Sequence, residues 1–84
     1  MELDEIGEFI EGAVLLDGLD EAIVGVVESF GNGPRVLYDR QKIINILMRN
    51  SQMDELEAFE YYEYNVLGLF AGEQTPLFLT YKIK

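Results

Sequence analysis

Two β-branched, mostly apolar runs flank the tetrapeptide Gly31-Asn32-Gly33-Pro34, and this arrangement constrains the fold more than any other feature of the chain. Residues 22–30, Ala-Ile-Val-Gly-Val-Val-Glu-Ser-Phe, have the composition of a largely buried strand. Asn-Gly is the strongest short hairpin signal, because both positions tolerate φ > 0. Arg35-Val36-Leu37-Tyr38 is then the returning strand, with Pro34 at its start, where no ladder N–H is needed. Gly25 inside the first run points to a bulge or a close backbone approach.

Helical periodicity surrounds this hairpin. Leu3, Ile6, Ile10 and Ala13 recur at helical spacing and predict a short helix over residues 3–11, with acids in its first turns and Gly12 ending it. Val14 to Gly18 reads as an apolar connector closing in a turn. Asp39 is a good N-cap for a helix over residues 40–50, whose buried stripe is Ile43, Ile44, Ile46 and Leu47 with Met48 at the margin. Lys42, Asn45 and Arg49 share its opposite face. After a break at Asn50-Ser51, Asp54 and Glu57 form a capping-box pair for a second helix running to about Ala71, with Gly72 as its C-cap. Gln74-Thr75-Pro76 turns the chain. Leu77 to Ile83 alternates as a half-buried strand, with Leu77, Leu79, Tyr81 and Ile83 on one face and Phe78, Thr80 and Lys82 on the other. The order is α-β-β-α-α-β. The expected fold is an α+β domain spanning residues 1–84: a small antiparallel sheet of about three strands, the hairpin plus the C-terminal strand, covered by two helices and preceded by a short N-terminal helix.

Composition narrows the function classes. The 84 residues contain no cysteine and no histidine. Ser-His-Asp and Cys-His triads, disulfide frameworks, thiolate or imidazole zinc sites and histidine pH switches are therefore excluded. Sixteen acidic residues against six basic ones give a net charge of −10. The layout is uneven: residues 1–22 carry eight acids and no base, residues 23–50 are mildly basic, and residues 51–75 carry six acids and no base. Affinity for nucleic acid comes largely from Lys and Arg, so this distribution argues against direct DNA or RNA binding. It favours encounter with basic protein surfaces, against the plain alternative that acidity serves only solubility. No run approaches the ~18 apolar residues of a membrane span. The acidic N-terminus lacks the positive charge of a secretory signal, so a cytosolic location is expected.

Candidate site residues concentrate in the second long helix. On a 100° wheel its apolar residues, Leu56, Ala58, Phe59, Tyr62, Val66, Leu67, Leu69 and Phe70, fill roughly half the circumference, and Glu63 falls inside that arc. A carboxylate there needs a partner or a shifted pKa. The readings open to it are a salt bridge with Arg35 or Arg40 or a capping contact, a binding or catalytic carboxylate, and an edge residue that snorkels. Tyr61 and Tyr64 lie toward the polar side with Asn65, and exposed tyrosines are good interface anchors. Glu57, Glu60 and Glu63 form an i, i+3, i+6 stripe that, without an EF-hand loop, reads as a solvated face and not as a metal site. Gly31-Asn32-Gly33 and Gly68-x-x-x-Gly72-Glu73 are not phosphate loops. The expected binding residues are Glu60, Tyr61, Glu63, Tyr64, Asn65 and Glu73, with no catalytic residue, metal or cofactor.

Residues 57–78, Glu-Ala-Phe-Glu-Tyr-Tyr-Glu-Tyr-Asn-Val-Leu-Gly-Leu-Phe-Ala-Gly-Glu-Gln-Thr-Pro-Leu-Phe, resemble a pattern in small bacteriophage proteins. In these, an acidic aromatic helix runs through Glu-Tyr-Asn to a Gly-Glu-x-Thr-Pro turn. Asp20 to Val26 and Leu37-Tyr38-Asp39 resemble the same family, so the likeness covers roughly residues 20–80 and leaves out the first 19. It implies a phage origin and an infected host's cytoplasm, and it implies no reaction. The expected function is a non-enzymatic phage accessory protein that binds a host or phage protein with a basic surface. A host defence or nucleic-acid enzyme is the favoured target, and DNA mimicry the sharper form. The alternative is a small homo-oligomeric structural or regulatory protein, a homodimer for example. A small acid–base enzyme using Glu63 with Tyr38 or Tyr62 ranks below both.

Overall fold

The computed structural model describes residues 6, 10, 13–29, 31–68 and 72–83, with the side chains of Ser29, Asn32 and Glu73 outside the description. Most of the helix expected over residues 3–11 therefore lies outside the described residues. Its two anchors do not: Ile6 and Ile10 are buried, and the Ile10 N–H donates to the Ile6 carbonyl at 2.9 Å. The connector closes in a turn at Asp17-Gly18, where Gly18 takes φ +80°, and a 3-10 turn follows at Asp20–Ala22.

Strands β1 (Ile23–Ser29) and β2 (Asn32–Asp39) form the antiparallel hairpin. Its register is Ile23 against Tyr38, Val26 against Val36 and Ser29 against Asn32. The turn sits earlier than Asn32-Gly33: Gly31 supplies the positive φ, +80°, and Asn32 already belongs to β2. Two irregularities bend the ladder. Ile23 to Gly25 spans two steps opposite one step of β2, which places a bulge beside Gly25. The second falls opposite Val27–Ser29, on the β2 stretch that contains Pro34, a residue with no N–H to give the ladder.

Helix α1 (Arg40–Ser51) starts as its sequence dictates: the Asp39 carboxylate accepts from the Lys42 N–H at 3.1 Å. Ile43, Ile44, Ile46 and Leu47 are buried and Met48 half-buried. Gln52, in the left-handed region at φ 55°, stops it. Helix α2 (Glu55–Tyr61) opens with a complete capping box. The Glu57 N–H donates to Asp54 at 2.8 Å, and the Asp54 N–H donates to Glu57 at 3.1 Å. The single long helix expected from residue 54 to about 71 is not uniform. It passes into a π-helical segment at Tyr62–Leu67, and residues 69–71 lie outside the described residues.

Strand β3 (Leu77–Leu79) corrects the all-antiparallel sheet. It pairs with β2 in parallel, Leu37 against Leu77 and Asp39 against Leu79, so the sheet is mixed with order β1-β2-β3. The connection from Asp39 to Leu77 carries both helices, and a connection of that length returns the chain to enter in the same direction. The strand is also shorter than expected, since residues 80–83 have no regular structure. The inward face is the Phe78 face. Phe78 stacks on Tyr38 at 6.0 Å between ring centroids and meets Tyr62 edge-on at 5.7 Å. Tyr81 and Ile83 are exposed. The core joins Val36 and Tyr38 of β2, the α1 stripe, Ala58, Tyr62 and Val66, with Ile6, Ile10 and Leu19 from the N-terminal side.

Candidate functional site

Only part of the apolar arc of α2 and the π segment is covered. Ala58, Tyr62 and Val66 are buried and Phe59 half-buried, at roughly 200–300° on a wheel set to zero at Leu56. The other described residues of the arc face outward. Leu56 is 67% exposed, Leu67 is exposed, and Glu63 lies exposed between them. Glu63 is thus exposed, and among the described residues it forms no ion pair. Among the described residues the ion pair is Arg49–Glu21, at 3.2 Å and well exposed. The cations named as partners for Glu63 are engaged elsewhere or differently placed. Arg40 lies over the Phe59 ring, 5.5 Å from its centroid, a cation–π contact. The Arg35 Nε is buried, with no hydrogen-bond partner among the described residues.

The π segment rotates the helix surface. Its ladder runs i to i−5, so each turn takes in one more residue than an α-turn. Asn65 supports the transition: its side-chain amide donates to the Tyr61 carbonyl at 3.3 Å. In an α-helix that carbonyl receives the Asn65 backbone N–H; in the i to i−5 ladder it is served from five residues on, and the Asn65 side chain adds a second donor. Gly68 ends the segment at φ −77°, and an added Cβ there would meet the Glu63 and Tyr64 carbonyl oxygens at 3.4 Å, an ordinary van der Waals contact.

The six expected binding residues divide into groups. Glu60, Glu63 and Tyr64 line one shallow depression, and Tyr64 stands 84% exposed in it. Tyr61 and Asn65 open onto another groove, lined also by Leu15, Leu16, Leu19 and Val66. Glu73 falls in a 3-10 helix at Gly72–Gln74, and its side chain lies outside the described residues. A further groove, of about 310 Å³, lies between α1 and α2 and is lined by Arg40, Gln41, Ile44, Glu55, Leu56 and Phe59. Sequence reasoning missed it. The readable signal was Arg40 opening α1 while Leu56 and Phe59 open α2, which sets a cation beside apolar side chains.

The buried tyrosines are structural. The Tyr38 hydroxyl accepts the Leu16 N–H at 2.8 Å and ties the N-terminal connector to β2. Burial raises the Tyr38 pKa, the Leu16 hydrogen bond opposes the shift, and Asp20 adds to it. Burial likewise raises that of Tyr62; the Arg40 charge opposes this and Glu63 adds to it. Both phenols hold their protons through neutral pH and stay uncharged in the core. Among the described residues no group of three or more Asp or Glu is placed to hold a metal ion, and no helix is long and apolar enough to cross a membrane. No family model, curated protein or solved structure matches this chain.

Proposed function

We propose that this chain is a phage accessory protein that acts without catalysis, by docking the outer face of α2 and its π segment on a basic protein surface. The observation that carries the reading is Tyr64, almost fully exposed beside Glu60 and Glu63, with Leu56 and Leu67 uncovered at the two ends of the same face. Water-exposed apolar side chains flanked by carboxylates suit a partner that offers both apolar contact and cations. The tyrosine adds contact area at low entropic cost. Glu57, Glu60 and Glu63 climb the helix by about 4.5 Å per step, a row of negative charge that a nucleic-acid-binding groove would accept in place of phosphates. The sequence likeness to small phage proteins supports a target within a phage-infected cell, a host defence or nucleic-acid enzyme being the kind with such a groove.

The test is capture from infected cells at low ionic strength with tagged protein. Wild type recovers a stoichiometric partner. The Glu60→Lys/Glu63→Lys variant loses it, and duplex DNA competes it off. Equal recovery by the charge-reversed variant would refute the reading.

A further inference from the structure

The groove between α1 and α2 carries one cation and one anion that do not pair with each other. Arg40 opens α1 and Glu55 opens α2, and both line the same space of about 310 Å³. Among the described residues neither forms an ion pair. The Arg40 guanidinium lies over the Phe59 ring, 5.5 Å from its centroid. That contact uses the face of the group. The N–H donors, which point out from its edge, have no carboxylate partner among the described residues. Glu55 stands one helical turn before Phe59, a spacing of about 5–6 Å between Cβ atoms. The two charges therefore lie roughly a turn apart along the groove. Apolar side chains accompany them: Ile44 is buried, Phe59 half-buried and Leu56 67% exposed.

This combination selects a ligand by its chemistry. A carboxylate suits the planar fork of Arg40, an ammonium suits Glu55, and an apolar body suits Ile44, Leu56 and Phe59. The volume sits at the low end of the ~300–1,000 Å³ of small-molecule sites, so the body is small. A zwitterion also carries no net charge, and a chain of net charge −10 does not repel it as it repels a simple carboxylate. We propose that this groove binds a free α-amino acid with an aromatic or branched apolar side chain, its carboxylate on Arg40, its ammonium on Glu55 and its side chain against Ile44, Leu56 and Phe59. A residue at a peptide end lacks one of the two charges: an N-terminal residue keeps only the ammonium, a C-terminal one only the carboxylate.

The experiment titrates L-phenylalanine into the nitrogen-15-labelled 84-residue chain at about pH 6, where the α-amino group holds its proton. Saturable shifts should gather at the Arg40 Nε–H and the amides of Gln41, Ile44, Leu56 and Phe59. N-acetyl-L-phenylalanine, which imitates a C-terminal residue, and L-phenylalaninamide, which imitates an N-terminal one, should each bind at least about tenfold more weakly, since each loses a charged hydrogen bond. Glu55→Gln should abolish the advantage of phenylalanine over its N-acetyl form, and Arg40→Gln its advantage over the amide. Glu55 is exposed, so Glu55→Gln decides the matter even if Arg40→Gln disturbs the packing on Phe59. Shifts that stay linear to the solubility limit, saturation at residues outside the groove, equal binding of the three compounds, or unchanged selectivity in Glu55→Gln would overturn the proposal. The purified chain suffices for this measurement, so its outcome is independent of any protein docking at Tyr64.

Discussion

Replacing Tyr38 by Phe removes one oxygen from the core and leaves the ring. The ring keeps its stack on Phe78 at 6.0 Å and its place against the α1 stripe. What it loses is the acceptor for the Leu16 N–H, at 2.8 Å across 22 residues of sequence. A hydrogen bond contributes about 1 kcal/mol net, and a buried donor left without a partner costs ~1–3 kcal/mol. The Leu16 site is only partly buried, so water recovers some of that loss, and a cost of about 1–2 kcal/mol follows. For a domain of this size each kcal/mol moves Tm by ~4–8 °C, so thermal unfolding should shift down by roughly 4–16 °C. In urea the midpoint should fall while the slope stays the same, because the surface exposed on unfolding is unchanged. Amide exchange supplies the local readout: the Leu16 N–H should exchange faster, while amides of α1 slow or hasten only with global stability. A Tm within ~2 °C of wild type, together with unchanged protection at Leu16, would refute this hydrogen bond as the clasp between connector and sheet.

Other outcomes follow from the same contacts. Asp54→Ala removes the acceptor of the Glu57 N–H at the start of α2 and should cost about 1 kcal/mol by urea unfolding. Gly31→Ala meets no steric obstacle, yet forces an L-residue to φ +80°, and should cost about 1–2 kcal/mol in the same assay. Tyr38 and Tyr62 bind their protons more tightly in the folded chain than at the ordinary value of 10.0. Their contribution to stability is therefore complete below pH 10.0 and is lost as pH rises through the elevated folded values. Urea midpoints measured across alkaline pH should show this loss, and the Tyr38→Phe/Tyr62→Phe variant should lack that part of it.

The sequence marked the elements whose ends are governed by local chemistry. Asp39 and the Asp54–Glu57 pair each satisfy orphan N–H groups within three residues, so helix starts were readable without tertiary information. The α1 stripe matched because Ile43, Ile44, Ile46 and Leu47 fall on one unbroken buried face within two turns. Gly25 marked a bulge for a reason equally local. The misplacements all depended on distant partners. Three candidates for positive φ crowd residues 31–33, and the register that sets Val26 against Val36 decides in favour of Gly31. Alternation in Leu77–Ile83 is the same whichever way the strand runs, so the parallel entry of β3 was set by the two-helix connection. It also says nothing of where β2 ends, hence the overlong strand. In the candidate site, the exposure of Tyr61, Tyr64 and Asn65 was legible from the helical wheel. The exposure of Leu56 and Glu63 was not. A wheel records which residues share an arc, and only the neighbours decide how much of that arc is covered.

The account turns on which surface meets the partner, and hydroxyl-radical footprinting of the captured complex asks that directly. Tyr64 should be oxidised several-fold less in the complex than in the free protein, while Tyr61, which opens onto a different groove, should react alike in both. Tyr64 reacting equally in the two states, with protection gathered instead around Tyr61 and Leu15, would contradict the central claim.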